Sequence, residues 1–506
     1  GGDLTGGALL MRSLILRRLL RREVLEADEQ FVGLLLPPGT GPAVVNMALA
    51  LDRRVAVNLN YTVSSEVLNA CTQQCGIRRI LTSRKVMEKM NFELDAEVVY
   101  LEDLRDKIKL TDKLAGMIGS YLVPAACLDR LLQLHKIKSD DILTVIFTSG
   151  STGVPKGVML THGNIGSNIE AIDQVVKLRN DDVVLGVLPF FHSFGFTVTL
   201  WTVMTTNVKG AYHFNPLDAK QVGKLSEKHG GTILLATPTF LRTYLRRCTP
   251  EQFAKLDVIV TGAEKLPLDL ADGFEEKFGI RPVEGYGATE LSPLASVNVP
   301  RNRSGENFQV DCKDGTVGRP VPGVVARVTD LDSGEELGTN EPGMLWIKGA
   351  NVMKGYFGRE DLTSEVIQDG WYHTGDVALI DDDGFIQITG RMSRFSKIGG
   401  EMIPHIQIEE TLNSLITGGE EEELLAAVTA VPDAKKGERL IVLHRPFQQS
   451  IQELCQQLSQ EGLPNLYIPN PDSFFEVDEI PILGTGKLDL GAIKEKAAEM
   501  VAAAND

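Results

Sequence analysis

Between Ile142 and Phe147 the chain is largely apolar and then breaks into Thr148-Ser149-Gly150-Ser151-Thr152-Gly153-Val154-Pro155-Lys156-Gly157. This segment limits what the chain can fold into more than any other. A strand that ends in glycines, hydroxyls and one lysine is suited to holding phosphate. Glycine lets the backbone approach an anion closely, hydroxyls and N–H groups donate to its oxygens, and the lysine adds a point charge. The order differs from the common P-loop, in which a hydroxyl follows the lysine and reaches magnesium; here Gly157 follows Lys156 and Pro155 precedes it. A Ser/Gly-rich surface turn would share this composition, so the rest of the chain has to decide.

With 506 residues the chain exceeds the roughly 250 to 300 at which a single core stops growing, and at least two domains are expected. A formal net charge of −17 argues against a nucleic-acid partner held by a general basic field. A local exception is Arg12, Arg17, Arg18, Arg21 and Arg22, interleaved with Leu14, Ile15, Leu16, Leu19 and Leu20. It reads either as a packed or solvated amphipathic helix or as a contact for an anionic membrane surface. The cysteines, at positions 71, 75, 127, 248, 312 and 455, are scattered and form no metal-like cluster with histidine. Cys71 and Cys75 are read as reduced buried thiols, which implies a reducing, cytoplasmic setting. The apolar stretches are broken by Pro37, Pro38 and Pro124, short of the roughly 18 to 20 residues of a spanning helix. The chain opens on Gly1 rather than Met, so a trimmed sequence is expected, and a removed targeting segment would leave no trace.

Through the first 300 or so residues, strand-like runs alternate with longer helical patterns, as at Val183 to Leu188, Thr232 to Ala236 and Val258 to Thr261. That alternation predicts an α/β fold with largely parallel sheets. From about 310 to 390 short runs with frequent Gly and Asp, such as Val324 to Val328, Gly343 to Lys348 and Phe385 to Ile388, predict a small β section. The boundary falls near Gly390-Arg391, after the hairpin-like Asp381-Asp382-Asp383-Gly384. Two domains follow: a large one over 1–390 and a small α+β one over 391–506.

Four further motifs come in order after the phosphate loop: Thr261-Gly262-Ala263-Glu264, Tyr286-Gly287-Ala288-Thr289-Glu290, Tyr372-His373-Thr374-Gly375-Asp376, and Gly390-Arg391. Lys397-Ile398-Gly399-Gly400-Glu401 and Pro481-Ile482-Leu483-Gly484-Thr485-Gly486-Lys487 complete the series. Together with the loop they resemble the adenylate-forming, AMP-binding enzymes: acyl-CoA and acyl-acyl carrier protein synthetases, luciferases and peptide-synthetase adenylation domains. The resemblance runs from about residue 30 onward. It implies ATP and Mg²⁺ as cofactors, with Thr148, Ser149, Gly150, Ser151, Thr152, Gly153 and Lys156 around phosphate. It implies Tyr286 and Gly287 against adenine, Gly262, Ala263 and Glu264 along adenine and one wall of the acyl site, Thr289 on the α-phosphate, and Glu290 and Thr152 at the metal. Asp376 would accept from the ribose hydroxyls, a role suited to a carboxylate, with Arg391 beside it. Lys487 matches the invading lysine of adenylation, Lys397 and Gly400 the segment beside the pantetheine tunnel. The hinge position, normally Asp or Lys, is Ser393 here; Arg394 is the alternative.

Within Phe190-Phe191-His192-Ser193-Phe194, His192 stands where amino-acid-activating relatives carry an aspartate for the substrate ammonium. Without that carboxylate a buried ammonium would be unpaired, which disfavours an amino acid. His192, Phe240, Gly262, Gly287 and Gly400 are the candidates lining the acyl and thiol sites. Ala236 to Leu241, Ser296 to Pro300 and Arg394 to Met402 look most like the synthetase half of the bifunctional 2-acylglycerophosphoethanolamine acyltransferase/acyl-acyl carrier protein synthetases. That likeness implies a fatty acid loaded onto acyl carrier protein, with CoA as the alternative acceptor, phospholipid recycling as the setting and peripheral membrane contact at the inner face. Lys435, Lys436 and Arg439 are candidate contacts for an acidic carrier protein. An inactive homologue that binds nucleotide or acyl-adenylate is the alternative outside catalysis.

Overall fold

The computed structural model describes residues 3–148, 155–304, 311–398, 401–417, 425–433, 437–461, 463–482 and 488–505. Two 7-stranded sheets form its first part. In the first, the strands Ile142–Thr148, Val55–Asn58, Phe31–Leu35, Arg79–Thr82 and Glu97–Tyr100 run parallel. In the second the same holds for Val283–Gly287, Val258–Thr261, Ile233–Ala236, Val183–Gly186 and Lys209–Tyr212. Val55–Asn58, Val183–Gly186, Ile233–Ala236 and Val258–Thr261 are buried throughout, as expected of parallel strands with both faces covered.

Each parallel sheet ends in antiparallel strands at one edge, which the alternating pattern does not announce. Lys156–Thr161 pairs antiparallel with Ile142–Thr148, and Gly355–Tyr356 extends that edge. Leu294–Val297 and then Arg319–Pro320 do the same beside Val283–Gly287. A third, antiparallel sheet comprises Val324–Thr329, Gly343–Gly349, Trp371–Ile380, Ile367–Gln368 and Ile386–Arg391, which is the expected β section. Its Asp381 to Gly384 turn closes through Gly384 N–H on the Asp381 carbonyl, at 2.9 Å.

The three sheets share one core. Ile146, Val158 and Leu160 of the first, Phe190, Phe196, Leu291 and Ala295 from around the second, and Leu345, Ile347, Ala378 and Ile386 of the third pack into a single buried cluster. From Ile398 onward the buried clusters draw only on later residues. There the strands Ala426–Asp433 and Gly437–His444 divide their side chains by alternation. Ala426, Val428, Leu440 and Val442 meet Ile408, Leu412, Leu454 and Leu458 on one face, and Ala427, Val431, Ile441 and Leu443 meet Ile493 and Ala497 on the other.

The arginine-rich helix Gly6–Glu23 is a packed element. Arg17 and Arg21 pair with Asp52 at 3.0 and 3.5 Å, while Arg18 and Arg22 pair with the buried Asp112 at 3.3 and 2.8 Å. Arg17, Arg18, Arg21 and Arg22 are therefore ion-paired within the protein, while Arg12, Arg18, Arg21 and Arg22 stay exposed. Asp112 lies on the helix Leu110–Tyr121, which packs along the first helix through Gly116 and Gly119. A Cβ on Gly116 would lie 2.5 Å from Ile15 Cγ1 and 2.9 Å from the Met11 carbonyl. Pro124 separates this helix from Ala125–Leu132, so the apolar run is indeed broken. Gly116→Leu should force the two helices apart and cost about 1–3 kcal/mol of stability, as overpacking does. Thermal unfolding checks this; an unchanged transition would contradict the close packing.

Candidate active site

The phosphate-like motif begins and ends in two antiparallel strands, with Thr148 paired to Lys156. Ser149, Gly150, Ser151, Thr152 and Gly153 lie outside the described residues. Lys156 Nζ sits 5.3 Å from the ring centroid of Tyr356, and the Tyr356 hydroxyl donates to Glu290 Oε1 at 2.9 Å. Tyr356 thus links the lysine of the loop to the carboxylate of the Tyr286-to-Glu290 motif. The sequence reading passed over it; its only signal was an aromatic after Gly355, whose φ of 143° and neighbouring Thr363 leave little room for a side chain.

Glu290 sits on the short 3₁₀ turn Thr289–Leu291, followed by Ser292 with a left-handed φ of 70°. Such a turn leaves backbone groups needing partners, and buried side chains supply them. Asn351 Nδ2 donates to the Leu291 and Leu294 carbonyls at 3.2 and 3.1 Å. Asn168 donates to the Leu294 carbonyl at 2.7 Å, and the hydroxyls of Ser292 and Thr197 bond the Asn351 and Ser292 carbonyls, both at 2.8 Å. Met353 N–H donates to the Glu290 carbonyl at 2.8 Å. Gly287 is required close by, since a Cβ there would meet the Pro293 carbonyl oxygen at 2.0 Å. Ser193 Oγ approaches Thr289 Oγ1 at 3.4 Å, bringing the aromatic motif to the same turn.

Asp376 is 4% exposed and is held from two sides. Tyr286, on the second sheet, donates its hydroxyl to Oδ2, and Arg391, facing Asp376 across the third sheet, donates Nε–H to Oδ1 at 2.8 Å. Burial and the adjacent Asp376 carboxylate both push the Tyr286 hydroxyl well above its ordinary range, so it remains a donor. The Asp376 amide donates to Thr374 Oγ1 at 3.0 Å, fixing the strand locally. Three residues picked from separate motifs, Tyr286, Asp376 and Arg391, are therefore one hydrogen-bonded unit.

Two of the residues expected along the acyl group, Gly262 and Phe240, share surroundings with Phe194. Gly262 faces Phe194: a Cβ there would rest 3.4 Å from the phenyl Cε1. Phe194 and Phe240 pack against the same apolar cluster, beside Val260 and Val283. A π-helical segment, Gly195–Trp201, follows the aromatic motif, and such segments recur at functional sites. His192 is exposed and stacks at a tilt on Phe191 at 4.5 Å, which in turn meets Tyr61 edge-on at 4.7 Å. Ala263 adopts φ 70°, left-handed for a residue with a Cβ. Glu264 holds that turn by accepting from Thr239 Oγ1 at 2.8 Å, and buried Glu284 accepts from the Leu266 amide at 2.9 Å. Glu264 is thus a clasp between the turn and the helix that carries Phe240.

Other candidates stand apart from this centre. Lys397 directs its ammonium at Asp332, 2.8 Å away, and its amide at Glu438. Arg394, the alternative hinge, is buried in an ion pair with Glu409, which also accepts from the Val428 amide at 2.6 Å. Ser393 lies on the turn Met392–Arg394 between the third sheet and that core. Lys487, Gly400, Lys435 and Lys436 lie outside the described residues, and Arg439 sits within the strand Gly437–His444. Cys71 and Cys75 are buried free thiols, each pushed up to about 12 by burial.

A model of the AMP-binding enzyme family matches residues 1–357. The chain belongs to that family. A long-chain-fatty-acid–CoA ligase of Bacillus subtilis is 31% identical over 384 residues, covering 73% of this chain and 64% of the relative. The match thus spans less than two thirds of that protein's length. A feruloyl-CoA synthase of Amycolatopsis is 30% identical, covering 71% of this chain and 70% of its own. Among solved structures, ATP-bound MatB from Rhodopseudomonas palustris superposes with a TM-score of 0.79 at 24% identity, over 99% of this chain and 95% of its own. An o-succinylbenzoate CoA synthetase from Bacillus subtilis, in complex with its acyl-adenylate intermediate, gives 0.79 at 24% over 97% and 93%. The adenylate-forming fold expected from the sequence is the one observed.

In this AMP-binding enzyme Glu284 also supplies a pH signature. Burial raises its carboxyl from 4.5 to about 6, against the opposing effect of the Leu266 amide. The folded chain holds a proton that the unfolded chain has released, so stability falls as pH rises through that window. Glu284→Gln should remove this slope, worth about 2 kcal/mol. Unfolding curves for both proteins from pH 4.5 to 7 test this, and parallel profiles would overturn it.

Proposed function

We propose that the chain is an ATP-dependent acid–thiol ligase that activates a fatty acid as its acyl-adenylate and passes the acyl group to CoA. One observation carries this reading. Tyr286, Asp376 and Arg391 form a single bonded unit beside the Glu290 turn, in a chain of the AMP-binding family. Tyr286 offers an aromatic face for adenine, and Asp376, with each oxygen already oriented by a donor, retains lone pairs for ribose hydroxyls. Lys156 and the hydroxyls of the loop would neutralise phosphate, and Thr289 would contact the α-phosphate.

For magnesium, the donor set fits. No group of three or more His, Cys, Asp or Glu converges among the described residues, and a magnesium ion shared with nucleotide phosphates needs only one or two protein oxygens. Glu290, with the Thr152 hydroxyl, would hold it. When bound, the ion would offset charge on the phosphate oxygens. The reaction then proceeds in two displacements. A carboxylate oxygen of the acid attacks the α-phosphorus, and the bond to pyrophosphate breaks. A thiol sulfur next attacks the acyl carbon, the bond from that carbon to the phosphate oxygen breaks, the thiol proton is lost, and AMP leaves.

Fatty acid as substrate is supported by the apolar surroundings of Phe194 and Phe240, by the absence of a carboxylate at His192, and by the name of the Bacillus subtilis relative. The relatives' names favour CoA as acceptor over the acyl carrier protein suggested by the sequence likeness. We divide the chain into a large domain, 1–390, and a small mobile one, 391–506, with the pivot at Ser393. The separate buried clusters support this division. So do the exposed pairs Lys397–Asp332 and Lys265–Glu410, because exposed ion pairs contribute only about 0–1 kcal/mol and break readily.

Incubation with ATP, Mg²⁺ and palmitate, with CoA or holo-acyl carrier protein as acceptor, tests the reading by mass spectrometry. Acyl-CoA and AMP are expected; acylated carrier protein alone would reassign the acceptor, and no AMP with no ATP–pyrophosphate exchange would leave an inactive binding protein. Lys487→Ala should slow adenylation by roughly a hundredfold or more, the scale of a lost charge at a phosphoryl transition state, while thioester formation from supplied acyl-adenylate persists. Equal loss in both steps would remove Lys487 from its assigned role.

A further inference from the structure

The helix Leu110–Tyr121 is amphipathic the wrong way round. Its buried positions are Asp112, Gly116 and Gly119, while Leu110 (71%), Leu114 (45%), Met117 (44%), Ile118 (45%), Tyr121 (57%) and Leu122 (74%) are exposed. The exposed residues recur at helical spacing and share one face. Ordinary packing would bury the large apolar residues and leave the small ones outside. Here the small side is used for close contact with the first helix, and the large side faces away from the protein.

This face continues beyond the helix. Pro124, Ala125, Ala126, Cys127 and Leu131 are exposed as well, and no charged residue occurs from Leu114 to Leu128. Contiguous apolar surface of this kind marks an interaction site. The charges that bound it are mainly basic: Lys107, Lys109 and Lys113 before it, Arg130, Lys136 and Lys138 after it, all exposed. Of the two acidic residues in the same stretch, Asp112 is buried under Arg18 and Arg22, and Asp129 lies 3.9 Å from His135. This local sign is opposite to the net −17 of the chain.

We propose that this face docks peripherally on an anionic lipid bilayer. An apolar face rimmed by lysine is complementary to acyl chains beneath anionic headgroups. A second copy of the chain suits it less, because symmetric pairing would bring lysine-bearing rims together. No helix among the described residues is long and apolar enough to cross a membrane. The inference moves the membrane contact from the arginines of the first helix to the outer side of the helix packed against it, and it stands independently of the reading of the active site.

Flotation of the whole chain with vesicles of equimolar phosphatidylethanolamine and phosphatidylglycerol tests it, with phosphatidylcholine vesicles as the comparison. Binding to the anionic vesicles is expected, weaker on phosphatidylcholine and weaker at high salt. The triple variant Leu110→Gln, Ile118→Gln, Leu122→Gln should reduce partition at least about tenfold with an unchanged melting temperature. A dye attached to the exposed Cys127 of the otherwise unaltered chain should shift to the blue on adding these vesicles, which keeps the test independent of how the variant folds. Absence of flotation, undiminished binding by the variant, an unshifted dye, or a lipid-free dimer that the variant dissolves would each overturn the proposal.

Discussion

The carboxylate of Asp376 is buried at the meeting of two sheets and takes one donor from each, Tyr286 Oη–H and Arg391 Nε–H. A buried charge is tolerated only when paired and hydrogen-bonded, so its position dictates that of both partners. Tyr286 is thereby fixed against the third sheet, and with it the bulged end of the strand Val283–Gly287. From there the chain enters the Glu290 turn, whose carboxylate is tied through Tyr356 to the edge of the first sheet. The site is consequently a property of the junction, and each sheet alone would present only scattered polar residues.

That junction explains what could be read in advance. Motifs such as Tyr286 to Glu290 and Tyr372 to Asp376 are local, with side chains two or three positions apart on one strand or turn, and local chemistry is visible in a linear string. The groups that hold the Glu290 turn are not. Asn168, Thr197 and Asn351 lie far apart in sequence, each an ordinary polar residue until folding buries it against an unpaired carbonyl. Buried amides of this kind are demanded by backbone satisfaction, and no periodicity announces them. The same holds for the antiparallel edges of the parallel sheets, since pairing direction depends on the connection and not on the composition of the strand.

The first helix carries a local pattern that fits two readings. A row of arginines among leucines fits an amphipathic membrane helix and an ion-paired packed helix equally well. Asp52 and Asp112 decide between them, because two buried carboxylates require cations and these arginines supply them. Neither aspartate is distinguishable in sequence from a solvated one. After Ser393 the chain carries its own counterpart in Arg394 and Glu409, a buried ion pair. In the hinge reading proposed above, rotation near Ser393 would leave this pair intact.

The glycines of the helix Leu110–Tyr121 connect packing to surface. Because Gly116 and Gly119 let the backbone lie against Ile15 and Leu14, the contact is made without large side chains on that face. Leu114, Met117 and Ile118 are then free to point outward without loss of the internal contact. Asp112 secures the same face through Arg18 and Arg22, which draws the local positive charge inward and leaves Lys107, Lys109 and Lys113 to set the field at the rim. An apolar outer face without internal necessity costs solubility. Since the internal packing here does not need it, the face is left open to the lipid surface proposed above.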